Sequence, residues 1–558
     1  MVYVNAKLSD LNKYIGKNLL VEEIEETLID MGMDVKGNSG GADPELKIEI
    51  TAEKLDMVSI VGIARAIKYY RGLQKGVPKY KISKGKNIIE VKKSAKECRP
   101  KTVAAILRNV PMTQKFLDEM IEFQEKIHDS FGRGRKKVAI GIYPMDNFEF
   151  PLTYDAEDPS RIIFRPLEYA SELNGHEILQ KHDTGRKYSH LLKDYSKYPV
   201  FRDKQGKVLS MPPIINSHDT GKVEANHRDL FVECTGFNLT LLENVMKNMV
   251  TSFIEMGVKE VESVKINYEE TQETYELNLD NFYDELELNY VNKLIGIEIK
   301  EKDVEKLLNK GMYGLRQIKD KKIEVEIPCF RSDVWNDCDI ADDMARAYGY
   351  NNIEPKTPSI SSVGEMLDYS MFRDRITETL VNMGFLETYT YMLTSTESQY
   401  KKMTLKIDEK EYVRLQDTAD QGLNMIRTRI LPESLTTLNI NRKNKYPQHI
   451  FENGFVIKPD SSAETKAVDC AHLCVSIADT KANYTWIKGV LDSVLTLHNI
   501  DFKVKEKEFP FLIPGRSGVV CVGSKEIGFI GEVHPQVLET FGLIVPVVAF
   551  EIDLEGLK

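Results

Sequence analysis

The sequence predicts a multidomain α+β protein, in which two copies of a small helix–helix–strand–helix unit flank a mixed α/β module and precede a strand-rich domain. Length is the first observation, because 558 residues exceed the roughly 250–300 at which a single hydrophobic core stops growing. The second is an internal repeat, and the third is a change of pattern near residue 360. The predicted domains are residues 1–85, 86–275, 276–356 and 360–558.

Composition indicates a globular protein, with 42% hydrophobic and 29% charged residues. The seven cysteines are scattered without a CxxC pair, which argues against a zinc ribbon and a disulfide framework. No apolar run approaches the 18 or so residues of a membrane span, and no leader pattern opens the chain, so a cytoplasmic location is expected. A net charge of −11 argues against binding nucleic acid through the global field.

The first unit shows helical periodicity followed by a strand. Ser9 opens a short helix over "SDLNKYIG", and apolar residues at 21, 24, 28 and 31 form one face of a second helix. The strand "ELKIEIT" and the helix "SIVGIARAIKYYRG" complete the unit. The next block alternates short β-rich runs with helices such as "KFLDEMIEFQEKIHDSF". The fourth begins with the amphipathic helix "MFRDRITETLVNMGF" and ends in strand-rich sequence.

The third block repeats the first. "LNKYIG" (11–16) matches "VNKLIG" (291–296), and "LKIEITAEKLDM" parallels "IEVEIPCFRSDVW", which places Asp56 opposite Asp333. "IARA" (63–66) then parallels "MARA" (344–347). The two segments therefore predict two copies of one fold.

The second copy carries a cluster of acids within eleven positions: Asp333, Asp337, Asp339, Asp342 and Asp343. One interpretation is capping, with Asp339 as the N-cap of a helix and the two later acids complementing its dipole.

The first copy argues for another interpretation. Val61 and Gly62 stand opposite Asp342 and Asp343, so the shared fold does not require these acids. Residues 339, 342 and 343 share one helical face, and like charges so close repel unless something positive lies among them. Oxygen ligands without His or Cys indicate Mg²⁺ or Ca²⁺. A cation site is the prediction, with capping as the alternative.

The acidic segment "SDVWNDCDIADDMARAYGYNNI", followed by Pro355, resembles that of the phenylalanyl-tRNA synthetase β subunit of the archaeal and eukaryotic-cytosolic type. Further resemblances run in order along the chain. They include "ITAEKLDMVSIVGIARA", "RKKVAIGIY", "VLSMPPIINS", "LFVECTG", "FENGFVI", "IKGVLDSVL", "PGRSG" and "IGFIGEVHPQVLETFGL". Ordered coverage from end to end makes the resemblance specific.

That family is an (αβ)₂ enzyme that activates phenylalanine with ATP and charges tRNA(Phe). The resemblance implies a Mg²⁺ ion shared with the α subunit and ligated by Asp333, Asp339, Asp342 and Asp343. The family usually has glutamate where this chain has Asp342, and a shorter carboxylate there would need water in the first shell. Asp337 is interpreted as a solvated acid.

The C-terminal block resembles the antiparallel-sheet core of a class II synthetase that lacks the catalytic motifs. Such a core needs an arginine–glutamate strand pair and a late Gly-rich strand ending in arginine. Here Arg516 in "PGRSG" lacks the repeated-glycine lead, and no glutamate follows Arg427 and Arg429 in strand register before Glu433. The synthetic active site is therefore expected on the α subunit, and these arginines are expected in packing or interface ion pairs.

A phenylalanine pocket cannot strongly reject tyrosine, which only adds a hydroxyl, so a second, hydrolytic site is the expected remedy. The resemblance places this editing pocket at Phe201, Ser210, Glu233 and Thr235. Glu233 and Thr235 alternate along a strand and face one side, where Glu233 can accept from the tyrosyl hydroxyl and Thr235 can hold a water or the polar end of the amino acid. Ser210 would face the ester and Phe201 would stack on the ring. The alternatives are exposed strand residues and a core phenylalanine; the family commonly has aspartate where Glu233 stands.

The run "GRGRKKVAIG" supplies a local basic patch at Arg133, Arg135, Lys136 and Lys137. It precedes a strand instead of leading into a helix, so it is not a phosphate-binding loop. Contact with tRNA is one interpretation and a solvated hairpin tip is the other. Two other functions stay open at this point: a free-standing aminoacyl-tRNA deacylase, and a non-catalytic RNA-binding or assembly protein.

Overall fold

The first copy of the repeat is a three-stranded antiparallel sheet packed against three helices. A computed structural model describes residues 2–416, 418, 420 and 422–557. The sheet has the central strand β3 between β1 and β2. The elements are β1 (Val2–Lys7), α1 (Leu8–Ile15), α2 (Val21–Asp30), β2 (Asp34–Asn38), β3 (Glu45–Ile50) and α3 (Ile60–Tyr70). Ser59 caps α3 by accepting from the Gly62 N–H.

The module between the copies is built on a ten-stranded sheet with the order β12-β11-β10-β7-β4-β14-β5-β13-β6, where β15 pairs with β14. The strands of the module are β4 (Ser83–Val91), β5 (Lys101–Arg108), β6 (Val138–Pro144), β7 (Leu152–Glu157), β8 (Ile163–Phe164), β9 (Leu173–Asn174), β10 (Tyr198–Arg202), β11 (Val208–Met211), β12 (Ile215–Asn216), β13 (Leu230–Gly236), β14 (Glu260–Tyr268) and β15 (Glu273–Tyr275). Of these, β8 and β9 pair in a separate two-stranded sheet. Its helices are α4 (Gln114–Asp129), α5 (Gly175–Lys181), α6 (Asp183–Tyr188), α7 (His218–Gly221) and α8 (Leu239–Glu255).

Strand β13 separates two faces of this sheet. Val232 and Cys234 pack into the core cluster that includes residues of α4 and α8, whereas Phe231 packs on the other face with Tyr143. Glu233 shares the register of Phe231, so the alternation puts it on that second face. Strand β6 lies beside β13 at the end of the sheet.

The second copy reproduces the first in element order and sheet order, β16-β18-β17. Its elements are β16 (Phe282–Glu287), α9 (Leu288–Ile295), α10 (Glu301–Lys310), β17 (Gly314–Lys319), β18 (Lys322–Ile327) and α11 (Asp337–Tyr348). Each copy also has the same clasp after its first helix. Asn12 exchanges two hydrogen bonds with the Leu19 backbone, and Asn292 does the same with Ile299. The repeat seen in the sequence is therefore a repeat of structure, with a first strand and a hairpin that the sequence analysis did not predict.

The chain divides into two units, Met1–Thr357 and Pro358–Lys558. The second is a seven-stranded sheet of order β19-β22-β23-β27-β26-β25-β24, antiparallel except where β19 runs parallel to β22. The strands of the unit are β19 (Leu386–Glu387), β20 (Leu393–Thr394), β21 (Met425–Ile426), β22 (Gln448–Pro459), β23 (Ala467–Ala478), β24 (Lys503–Glu506), β25 (Leu512–Val522), β26 (Lys525–Val533) and β27 (Val547–Asp553). Of these, β20 and β21 pair in a separate two-stranded sheet. Its helices are α12 (Asp368–Asn382), α13 (Leu431–Ile440), α14 (Tyr484–Leu497) and α15 (Pro535–Thr540).

Charged side chains inside the second unit pair with one another. Arg427 Nη1 lies 2.7 Å from Glu452 Oε1, and both side chains are 1% exposed. Glu551 accepts from the Ile430 and Leu431 N–H groups and lies 2.7 Å from His472 Nδ1. Arg427 therefore sits in a buried ion pair. Of the helices within the described residues, none is both long enough and apolar enough to cross a membrane.

Candidate functional site

A cavity of about 270 Å³ lies beside strand β6 and is lined from two sides. Helix α4 lines one side with Leu117, Met120, Ile121, Gln124, Glu125 and His128. Strand ends and loops line the other side with Ser210, Pro212, Pro213, Ile214, Ile215, Asn216, Gly221, Lys222 and Val223, while Glu233 contributes from β13. The lining mixes apolar side chains with polar and charged ones.

Glu233 is the buried acid of this cavity. Its side chain is almost inaccessible, and its Oε1 lies 2.9 Å from the Tyr143 hydroxyl, which lies 2.8 Å from Ser210 Oγ. Tyr143 has one proton, so it can donate to Glu233 while it accepts from Ser210. Within the described part of the chain, Glu233 Oε2 is buried without a hydrogen-bond partner. One oxygen of this carboxyl therefore has no hydrogen-bond partner among the described residues.

Burial raises the pKa of Glu233 to about 8, although the hydrogen bond from Tyr143 and the charge of Arg99 both act to lower it. A protonated carboxyl can donate as well as accept. Gly141 makes room for it, since it faces Glu233 across the β6–β13 pair. A Cβ at Gly141 would lie 2.3 Å from Glu233 Oε1 and 2.2 Å from the Tyr143 hydroxyl, so only glycine fits there.

Glu125 contacts two other charged or titratable residues of the lining, His128 and Arg135. Its Oε1 lies 3.0 Å from His128 Nδ1 and accepts a 3.0 Å hydrogen bond from Arg135 Nη2. Burial acts against ionisation, yet the hydrogen bond with His128 and the charge of Arg135 hold the pKa of Glu125 at about 2. His128 Nε2 accepts from the Ile140 N–H at 2.8 Å, which leaves the proton of the neutral ring on Nδ1. Both ring nitrogens of His128 are thus engaged.

Arg135 lines the cavity, whereas the sequence analysis placed it in a basic patch that was either a tRNA contact or a solvated hairpin tip. Its Nη1 donates to the Ile214 carbonyl at 2.9 Å, and its guanidinium lies 4.5 Å from the centre of the Tyr188 ring. Arg133, Lys136 and Lys137 of the same turn are exposed. The basic patch is therefore divided between one cavity residue and three surface residues.

Two of the four predicted pocket residues do not line the cavity. Phe201 is fully buried and stacks on Tyr154 at 4.5 Å in a core cluster, because its position on β10 faces the inside of the module. Thr235 is fully buried and its Oγ1 accepts from Arg99 Nε at 3.0 Å, so its hydroxyl is used inside the protein. Neither belongs to the lining of the cavity, whereas Ser210 and Glu233 do.

The four predicted metal ligands are not brought together. Asp339 lies at the third position of α11, where its Oδ2 accepts from the Trp335 and Asn336 N–H groups, and Asn336 is the N-cap. Asp342 pairs with Arg346 at 2.8 Å and accepts from the Tyr350 hydroxyl. Asp339 thus caps the backbone from the third position of the helix, whereas the capping interpretation of the sequence had placed it at the N-cap.

Asp333 and Asp343 are neutralised by protein cations. Asp333 takes a two-fold hydrogen bond from Arg331, with both distances 2.8 Å, and its Oδ2 lies 2.7 Å from Lys54 Nζ. Asp343 Oδ2 accepts from Arg331 and from Tyr313. In the described residues no group of three or more His, Cys, Asp or Glu side chains is placed to hold a metal. These donors do not fit a Mg²⁺ ion, because their charges are already matched.

The sequence analysis missed the residues that helix α4 contributes to the cavity. Leu117, Ile121, Gln124 and His128 recur at helical spacing on one face, so two polar residues interrupt an apolar stripe. That interruption is a signal for a helix facing a polar cavity. Tyr143 carried no comparable signal, because an aromatic residue on a buried strand is usually core.

Known proteins resemble the chain along its full length. The family model for the phenylalanyl tRNA synthetase beta chain CLM domain matches residues 353–554, and that for the tRNA synthetase B5 domain matches residues 285–350. The phenylalanine–tRNA ligase beta subunit of Pyrococcus horikoshii is 38% identical over 553 residues, which is 98% of each chain. That of Methanocaldococcus jannaschii is 34% identical over 556 residues and covers 100% of each.

A solved structure also matches. The N-terminal fragment of the phenylalanyl-tRNA synthetase beta subunit from Pyrococcus horikoshii is 35% identical and superposes with a TM-score of 0.59. The match covers 62% of this chain and 99% of the fragment.

Proposed function

The chain belongs to the family of phenylalanine–tRNA ligase beta subunits, and we propose that its cavity beside Glu233 hydrolyses tyrosine mischarged onto tRNA(Phe). As a subunit of an aminoacyl-tRNA synthetase, it serves an enzyme whose substrate differs from tyrosine by one hydroxyl. A synthetic site for phenylalanine rejects that hydroxyl weakly, so a separate editing site improves accuracy.

The observation that carries the proposal is the free Oε2 of Glu233 in a cavity of suitable size. An apolar cavity of about 150 Å³ holds a benzene ring. This cavity of about 270 Å³ therefore has room for the phenol ring of a tyrosyl group and part of its amino-acid backbone. A tyrosyl hydroxyl would pair with Glu233, whereas a phenylalanyl ring would leave the buried carboxyl oxygen unpaired. The cavity would therefore favour tyrosine, the reverse of the synthetic site.

Hydrolysis at this site would rest on positioning. Water attacks the ester carbonyl, and the products are tyrosine and the free terminal hydroxyl of the tRNA. His128 is not the base, because both of its ring nitrogens are engaged within the protein. Ser210 and Tyr143 orient the Glu233 carboxyl, which binds the tyrosyl hydroxyl. A hydroxyl of the terminal ribose assists the attacking water.

The remaining parts of the synthetase would come from a partner. We assign the synthetic site, which uses ATP, to an α subunit in an (αβ)₂ assembly that binds tRNA(Phe). The buried ion pair between Arg427 and Glu452 supports this assignment, since that arginine is committed to the interior of the second unit.

The test compares the purified chain with its complex with the α subunit. Phenylalanine-dependent exchange between ATP and pyrophosphate should require the complex, and the complex should hydrolyse Tyr-tRNA(Phe) faster than Phe-tRNA(Phe). Exchange by the chain alone would refute the assignment of the synthetic site. Equal hydrolysis of the two aminoacyl-tRNAs would refute editing by this cavity.

A further inference from the structure

The acidic segment of the second copy faces the first copy, and we infer that it is an ion-pair joint between the two copies in which Lys54 and Arg331 take the place of a divalent cation. Lys54 belongs to the first copy and lies 2.7 Å from Asp333 and 3.7 Å from Asp343 of the second. Arg331 completes the cluster from within the second copy.

The joint uses equivalent positions of the repeat. The alignment that sets Asp56 opposite Asp333 also sets Lys54 opposite Arg331, so each copy supplies a cation and an acid two residues apart after its last strand. Asp343 stands opposite Gly62, where the backbone of Asp56 leaves no space for a side chain, since a Cβ would lie 1.9 Å from the Asp56 carbonyl oxygen. The extra acid of the second copy therefore balances the two cations that converge on it.

A neighbouring cavity of about 50 Å³ between the copies is unfavourable for a second cation. Its charged lining is Lys54, Asp56, Lys310, Arg331, Asp343 and Arg346, four cations against two acids. Asp56 Oδ1 and Arg346 Nε are both buried without a hydrogen-bond partner in the described chain. These two atoms suit a water that donates to Asp56 and accepts from Arg346. Mg²⁺ would meet mainly positive charge there.

The joint also secures the module inserted between the copies. Next to it, Arg65 lies 3.8 Å from the centre of the Phe330 ring and 3.6 Å from Glu255 of α8. Asn248 of the same helix donates to the Phe330 carbonyl. The two copies and helix α8 of the inserted module thus meet at neighbouring buried charges. These contacts join two copies that some two hundred residues separate in the sequence.

The first experiment uses the full chain, alone and with its α subunit, as the wild type and as Asp333→Asn. Its melting temperature should be the same after exhaustive dialysis against EDTA and in 5 mM Mg²⁺. Binding of Mn²⁺ is measured from the loss of the free-ion signal in electron paramagnetic resonance. It should be identical for the wild type and for Asp333→Asn. One Mn²⁺ per chain that is lost with Asp333→Asn, or a saturable rise of the melting temperature with Mg²⁺, would overturn the inference.

The second experiment removes the cation of the joint. Lys54→Met leaves Asp333 and Asp343 short of one charge, so it should lower the melting temperature of the first unit by about 5 °C, equally in EDTA and in Mg²⁺. Lys79→Met is the matched control, because Lys79 faces Glu326 from the surface with its side chain 70% exposed, and it should change the temperature by less than about 1 °C. Equal effects of the two variants would overturn the inference. Should Lys54→Met fail to fold, the comparison in EDTA and Mg²⁺ on the wild type still decides.

Discussion

Replacement of Glu233 by alanine should abolish the preference of the cavity for tyrosine over phenylalanine. The carboxyl is buried, one of its oxygens is free, and it lies in the lining of the cavity that we assign to the amino-acid ring. Its removal takes away the partner of the tyrosyl hydroxyl. It also takes away the unpaired group that penalises phenylalanine.

The magnitude follows from the cost of an unsatisfied buried group, about 1–3 kcal/mol. With about 1.4 kcal/mol for each factor of ten, the ratio of kcat/KM values for Tyr-tRNA(Phe) and Phe-tRNA(Phe) should fall by roughly 10- to 100-fold. Most of the loss should come from slower hydrolysis of the tyrosyl ester. The Tyr143 hydroxyl loses its acceptor in the variant, so the fold is checked by circular dichroism.

The assay is single-turnover hydrolysis of the two aminoacyl-tRNAs by the complex with the α subunit. Exchange between ATP and pyrophosphate serves as the internal control and should stay unchanged. Glu260→Ala is the matched variant, because Glu260 is an exposed residue of β14 in the same sheet. An unchanged tyrosine preference in a folded Glu233→Ala enzyme would refute our account of the cavity.

Three further predictions concern Glu233, Arg135 and Arg427. The pKa of Glu233 is raised from an ordinary 4.5 to about 8, so the folded state is progressively destabilised as the pH rises between these values. Glu233→Gln should remove this loss. In urea unfolding, the stability of the variant relative to the wild type should therefore grow by up to about 4 kcal/mol from pH 5 to pH 8. Arg135→Met should lower kcat/KM for Tyr-tRNA(Phe) hydrolysis by about 10-fold, because the variant loses the hydrogen bonds to the Ile214 carbonyl and to Glu125. Lys136→Met, at an exposed position, should change kcat/KM by less than about two-fold. Equal effects of the two variants would contradict the role of Arg135. Arg427→Met should destabilise the second unit by about 3–5 kcal/mol in urea, because the buried Glu452 would lose its cation and keep only the hydrogen bond from Thr390. A value below about 1 kcal/mol would contradict the buried pair.

Local patterns in the sequence predicted much of the fold. The repeated "NK-IG" segments identified two copies, and the structure gives each the same asparagine clasp because Asn12 and Asn292 close the same helix–loop turn. Strand alternation put Glu233 on the face away from Val232 and Cys234, since the period of two is a property of any strand.

Long-range partners could not be predicted in the same way. Lys54 and Asp333 are 279 residues apart, so the sequence showed an acid cluster without its cations and suggested a metal. Thr235 has the right residue type and register for a pocket, but the buried Arg99 occupies its hydroxyl, and only the packing of the module reveals this. Phe201 lies in a core cluster for a related reason, since an aromatic ring on a strand fits a core as well as a pocket wall.

The most direct test of the editing site is a crystal structure of the complex with a stable tyrosyl-adenosine amide that mimics the end of Tyr-tRNA(Phe). We expect the ring inside the cavity lined by α4 and β6, with the phenol oxygen within about 3.2 Å of Glu233 Oε2 and Arg135 beside the amino-acid end. Electron density for the ring outside this cavity, or a phenol oxygen bound by another group while Glu233 Oε2 remains unpaired, would contradict the account.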